Sequence, residues 1–242
     1  MTRLHLPLAL LFLCLAGPAA AQSLSIDLGG DGPTVATRTA QLLLLVTVLG
    51  LVPGLMVTVT CFPFIVTVLS ILRQAIGLQQ APPNMLMVSL ALFLTWFVME
   101  PVIQQSWTEG VEPLNNGQMD LATAVPAMAE PFRQFMAARV DPDTFAALRD
   151  LRPGVTAPPA TAPFSLLTPA FVLSEIARAF QIGFLIFLPF LIIDLVVAAV
   201  LMAMGMMMVP PAIVSLPFKL AFFVVADGWT LLSSALVRGY LQ

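Results

Sequence analysis

The chain has 242 residues, of which 59% are hydrophobic and only 10% charged, with a mean hydropathy of +0.97 and a net charge of −3. A soluble domain carries roughly 25% charged residues, so this balance and the long apolar runs place the chain among membrane proteins. Its one lysine, Lys219, and the lack of any basic tract speak against nucleic acid as a partner, because phosphate neutralisation needs clustered Lys and Arg.

Residues 1–21 have the form of a secretory signal peptide. Arg3 and His5 make a short n-region, Leu6 to Ala16 an apolar h-region, and Ala19-Ala20-Ala21 presents small residues for a cut before Gln22. Two other readings are an uncleaved first anchor and a lipoprotein signal at Cys14, although Leu13 before that cysteine is large. Cleavage would remove the only histidine and leave Cys61 as the only cysteine. A His/Cys metal site, a Ser-His or Cys-His nucleophile pair and an intrachain disulfide are then all out of reach. No catalytic residue, metal or cofactor is expected, and no Walker-type Gly-Lys-Ser/Thr loop is present.

A short polar segment, 22–38, leads into a first hairpin over 39–103. No charge occurs from Thr39 to Leu72, more than the ~20 residues that one crossing requires. One long helix, tilted or continuing beyond the bilayer, is favoured over two broken ones despite Pro53-Gly54 and Pro63. A loop from Arg73 to Asn84 precedes a second span from about Met85 to Ile103. Residues 104–168 differ in kind, with seven acids and four arginines, and form a small helical insertion. Pro131 is placed to open one helix, and Asp141-Pro142 to cap and open another. Arg152 to Pro163, rich in Pro, Ala and Thr, is expected to be an unpacked linker.

The second hairpin covers 169–242. Thr168-Pro169 is expected to start its first helix, which runs to Met204. Gly205 and Pro210-Pro211 interrupt the apolar sequence, and a fourth span follows to about Leu236. The expected architecture is thus all-α and polytopic, with about four apolar helices in two hairpins and a helical extracytoplasmic insertion. A cleaved signal puts the N-terminus and the insertion outside, and Arg73 and Lys219 then flank inner loops, as the positive-inside rule asks.

Ionisable groups within spans cost ~2.5–3.5 kcal/mol each on insertion scales, so each needs a reason. They are Glu175, Arg178, Asp194, Lys219 and Asp227. Glu175 and Arg178 share a helix face, as Lys219 and Asp227 roughly do. Structural ion pairs between helices or subunits are one reading, and a proton or ion relay is another. Asp194 and Asp227 also permit comparison with an intramembrane aspartyl protease, but neither has that site's Gly-flanked loop.

The least ordinary stretch is Met202-Ala203-Met204-Gly205-Met206-Met207-Met208-Val209-Pro210-Pro211, with five methionines in seven residues. Lipid-facing hydrophobicity explains it simply. A more specific reading is a soft, water-excluding constriction, because unbranched thioethers adapt to changing surfaces and apolar constrictions gate by dewetting.

This stretch lies within Phe180–Lys219, FQIGFLIFLPFLIIDLVVAAVLMAMGMMMVPPAIVSLPFK, which resembles the C-terminal half of the FliP family of flagellar type III export-gate proteins. Asp227-Gly228-Trp229, the Ala81–Asn84 APPN turn and Leu90–Val102 (LALFLTWFVMEPV) are similar as well. The likeness covers nearly the whole mature chain and departs mainly in the Arg152–Pro163 linker. It implies a homo-oligomer with FliQ and FliR, acting with FlhA and FlhB, that forms the pore for unfolded flagellar subunits in the inner membrane at the basal body. It implies that Met206, Met207 and Met208 seal the closed pore and that Glu175 and Lys219 pair between neighbouring subunits. It also implies that the assembled helices sit largely above the bilayer plane. A virulence-type secretion subunit is the nearest alternative, which the signal peptide and longer N-terminus disfavour. An ion-coupled small-molecule transporter using Asp194 and Asp227 is a more distant one, weakened by the absence of an inverted repeat.

Overall fold

The computed structural model describes residues 35–78, 81–206 and 208–241; the expected signal peptide and most of the polar segment after it lie outside these. The chain divides into two units, residues 1–47 and 48–242. The described part of the first is helical, the opening turns of α1 (Val35–Thr58). Leu43, Leu44, Leu45 and Val46 there are all more than half exposed.

The charge-free run is not one helix. α1 stops at Thr58, and α2 (Phe62–Ile76) starts after a turn, with Pro63 in its first turn. Proline lacks the N–H that an interior position would need, so it suits a helix start. α2 then buries Phe64, Ile65, Val68, Leu69, Leu72, Ala75 and Ile76, a stripe at helical spacing that forms the centre of the main core. Gly77 closes it at φ 88°, donating to the Arg73 and Gln74 carbonyls.

α3 (Asn84–Ser106) also outruns its expected end. Pro101 lies inside it, and a wider π turn, Trp107–Val111, carries the helical path into the short α4 (Glu112–Asn115). In the insertion, the first helix begins ten residues before Pro131. α5 (Leu121–Arg139) is capped by Asp120, whose carboxylate accepts the Thr123 N–H at 3.1 Å. The cap fixes where the helix starts; Pro126 and Pro131 both lie within it, and burial of Ala124, Phe132 and Met136 carries the helix past the bonds they cannot donate. The expected Asp141-Pro142 start is found: α6 (Pro142–Asp150) is capped by Asp141 through the Thr144 N–H at 2.8 Å.

The Arg152–Pro163 segment is fastened rather than loose. It contains a 3₁₀ turn, Pro159–Thr161, and buries Ala162, whose carbonyl accepts from Arg133 at 2.5 Å. Arg152 donates to Ser165 at 2.8 Å. This anchoring lets α7 (Phe164–Ala203) start four residues before Thr168. Its 40 residues span ~60 Å at 1.5 Å per residue, twice a ~30 Å hydrocarbon core. The first half packs tightly. At Gly183 an added Cβ would lie 2.4 Å from Ile71 Cδ1, so only glycine admits α2 this closely. Beyond Gly183 only Phe190 and Leu201 are buried.

The last apolar run is also two helices. α8 (Pro211–Val225) and α9 (Gly228–Leu241) meet at a 61° bend, where Asp227 adopts φ 47° and the Phe223 ring covers Gly228. Residues 84–115 and 164–203 are each long and apolar enough to cross a membrane, and two bent pairs raise the number to four. The protein is an all-α polytopic membrane protein, and no strand occurs among the described residues.

Candidate functional site

Three features stand out along α7 and α8: a buried charge cluster, a charged clamp and the methionine turn. The first surrounds Glu175, which is fully buried. The chain's single tyrosine, Tyr240 on α9, donates its hydroxyl to Glu175 Oε2. Arg139, the last residue of α5, brings its Nε to 3.7 Å from Glu175 Oε1. That is an ion pair but too long for a hydrogen bond, and both atoms lack a hydrogen-bond partner among the described residues. The Arg139 guanidinium lies 3.8 Å from the Tyr240 ring centre and donates to the Gly239 carbonyl at 2.7 Å. Phe64 and Phe135 pack on the same ring. One buried carboxylate thus joins the insertion, the long helix and the C-terminal helix. Arg178, one turn along α7 from Glu175, packs over Phe64 without a hydrogen bond to that carboxylate.

The clamp is built on Lys219 of α8, which is 5% exposed. Its ammonium is 2.6 Å from Asp194 Oδ2 on α7 and donates to the Ala75 carbonyl at 3.1 Å. Ala75 lies in the last turn of α2, where carbonyls lack intrahelical partners and the helix dipole favours a cation. Ser215, one turn before Lys219, donates to Asp194 Oδ1 at 2.5 Å. Gly77 adjoins this site, and its φ of 88° rather than space calls for glycine, since an added Cβ would lie 4.0 Å from the ammonium, an ordinary contact. Lys219 therefore pairs with Asp194. Asp227 does not share in this: it stands exposed at the α8–α9 bend and accepts from Thr230.

Glu175 and Asp194 are 19 residues apart on α7, about 28 Å along a helix. Lys219 is held at the Asp194 level, so it does not meet Glu175 within one chain. Sequence reasoning identified both acids and the lysine but missed Arg139, Tyr240 and Ser215. For Ser215 a signal existed, the four-residue spacing to Lys219 on an apolar helix. For the others none did, because their contacts are 36 and 65 residues distant in sequence.

Beyond the clamp the two arms carry the methionine turn. α7 ends in a Schellman motif: Met206 N–H reaches the Leu201 carbonyl at 2.9 Å and Gly205 N–H the Met202 carbonyl at 3.0 Å. This geometry needs the left-handed φ of 73° at Gly205. Pro210 and Pro211 then cap and open α8. Met206 is half-buried, whereas Met208 is 96% exposed; Met207 lies outside the described residues. Beneath the turn, Val200, Met204 and Met206 face Val214 and Phe218 across a wholly apolar cavity of about 540 Å³. Among the described residues no three His, Cys, Asp or Glu side chains converge as a metal site would require.

These features define a class: an all-α membrane protein, internally locked by charge, whose paired helices present an unpacked methionine turn. The model of the FliP family matches residues 45–236. The chain is 50% identical to the flagellar biosynthetic protein FliP of Caulobacter vibrioides, over 94% of its own length and 86% of that protein's. It is 46% identical to the protein of that name from Agrobacterium fabrum, over 99% and 100% of the two lengths. The corresponding figures for Bacillus subtilis are 42%, 86% and 95%. The chain belongs to the FliP family.

Proposed function

We propose that this protein is a non-enzymatic pore subunit of the flagellar type III export gate. Several copies assemble with FliQ and FliR, next to FlhA and FlhB, into the passage through which unfolded flagellar proteins leave the cytoplasm. The assembly belongs to the inner membrane at the flagellar basal body, with the N-terminus and the insertion on the periplasmic side. Family membership and the relatives' shared name support the flagellar setting.

The observation that carries the pore reading is the methionine turn. Its arms are clamped at Asp194–Lys219, while Met208 projects from the turn almost wholly uncovered. An exposed, flexible thioether on a fixed support suits a seal that yields to a passing chain. Replacing Met206, Met207 and Met208 by Ala should leave the purified assembly intact and make cells leaky to small ions. Unchanged ion permeability in an assembled complex overturns the seal.

The Glu175–Lys219 pairing between neighbouring copies belongs to the same proposal. Each residue already has an intrachain partner of opposite charge, Arg139 for Glu175 and Asp194 for Lys219. A pairing across copies therefore exchanges or shares these partners.

A further inference from the structure

Exposure sorts the methionines of this chain by how they meet an oxidant. A thioether sulfur keeps a lone pair that attacks a peroxide oxygen, so a water-borne peroxide reaches the sulfurs left uncovered. Met87, Met99 and Met136 are buried in the core, at 5% exposure or less, and Cys61 is fully buried as well. The methionine turn is the opposite case. Met208 is 96% exposed, whereas Met206 is half-buried over the apolar cavity between α7 and α8. The backbone that carries them is fixed. The Val209 N–H donates to the Met206 carbonyl at 3.4 Å, and Gly205 and Pro210 bound the turn on either side. Met208 therefore presents its sulfur to whatever fills the space beyond the turn.

An apolar constriction excludes ions because its lining offers water no hydrogen bonds. A sulfoxide reverses this at its own position. Its S=O group accepts hydrogen bonds from water, so the side chain that keeps the passage dry holds water there once it is oxidised. The clamp at Asp194–Lys219 contains no oxidisable group, so the arms below the turn stay in place.

We infer that Met208 is an oxidation site through which a peroxide opens the closed pore to ions. The inference rests on the seal reading given above. The Met208 sulfur attacks one oxygen of hydrogen peroxide, an S–O bond forms, the O–O bond breaks and the other oxygen leaves as water. The sulfur is oxidised and the peroxide reduced. A thiol-dependent methionine sulfoxide reductase reverses the step: two thiols become a disulfide and the sulfoxide oxygen leaves as water.

The test uses the full-length protein, purified with its membrane partners and reconstituted in liposomes. Potassium flux and peptide mass spectrometry are the readouts. Millimolar hydrogen peroxide should place a sulfoxide on Met208 before Met206 and raise the flux by about tenfold, the effect of one water hydrogen bond gained in the lining. Methionine sulfoxide reductase with dithiothreitol should return the flux to its starting value. Met208→Leu keeps an apolar side chain of similar volume without the sulfur, so its flux should not rise with peroxide, whatever its starting level. Met85→Leu removes an exposed methionine at the start of α3 and should respond like wild type. An equal rise in Met208→Leu overturns the site, as does sulfoxide on Met208 with no rise in wild-type flux. Sulfoxide on Met85 with none on Met208 overturns it too. The Ala variant of Met206, Met207 and Met208 separates the two readings. If it leaks while peroxide-treated wild type stays tight, the oxidation site falls and the seal stands; if neither leaks, both fall.

Discussion

Glu175 and Asp194 are acids on the same helix, yet their surroundings are opposite. Glu175 is completely buried among aromatic rings, with a tyrosine hydroxyl and an arginine for partners, and it ties three distant parts of the chain together. Asp194 keeps 32% of its side-chain surface open and bonds to one lysine and one serine of the adjoining helix. The first is placed to hold the fold, the second to set two arms at a chosen separation below the methionine turn. A charge at membrane depth is therefore no single signal: its meaning depends on which elements it joins and whether water reaches it.

The sharpest way to break this comparison is at Glu175. Glu175→Ala leaves the Arg139 guanidinium buried without its counter-charge, and unfolding in detergent should show a loss of about 3–5 kcal/mol. If the loss is no larger than for a surface pair, Glu175 is not a lock. At the clamp the two partners should be unequal. Asp194→Ala strands the buried Lys219 ammonium and should cost about 2–3 kcal/mol, whereas Lys219→Met leaves a carboxylate that Ser215 and water still serve, at about 1–2 kcal/mol. Equal losses would mean that water reaches both groups alike.

The smallest effect belongs to the insertion's exposed caps. Hydrogen bonds from Thr123 and Thr144 hold the Asp120 and Asp141 carboxyls below the usual carboxylate range. A depressed folded value stabilises the fold above the unfolded value near 3.9 and loses that contribution as pH falls through the folded one. Asp120→Ala with Asp141→Ala should thus lower the melting temperature at pH 6, less than either interior change. The difference from wild type should shrink as pH drops below about 4 and disappear once both caps are protonated. A difference that persists unchanged at low pH would show that the cap hydrogen bonds do not depend on the charge.

Local chemistry was legible wherever a residue acts on its own neighbours. Asp141-Pro142 announced a helix start, and Gly205 with Pro210-Pro211 announced the turn, because capping and backbone restriction operate within a few residues. The same reasoning failed where a local signal met a stronger partner. Pro131 looked like a helix start, but the Asp120 cap sets the start ten residues earlier, and the buried face of Ala124, Phe132 and Met136 keeps one helix running through the proline. The Pro, Ala and Thr of 152–163 looked unpacked, but Arg133 reaches across from α5 to fasten them. In the apolar run at 39–72, a stiff single helix and a broken one have the same composition, and only the packing of α2 in the core selects the break at Val59–Cys61.

The methionine turn and the charges were visible from the amino acids alone: how many there are, how far apart along the chain, and that apolar surroundings make each charge costly. Which charges meet was decided by the tertiary structure. Arg139, Glu175 and Tyr240 are separated by 36 and 65 residues, and Lys219 passes over the nearby Asp227 for Asp194 and a helix-end carbonyl 144 residues away. The reason is physical: an ion's desolvation cost is fixed by its own chemistry, whereas the partner that offsets it is whichever group packing brings within about 4 Å.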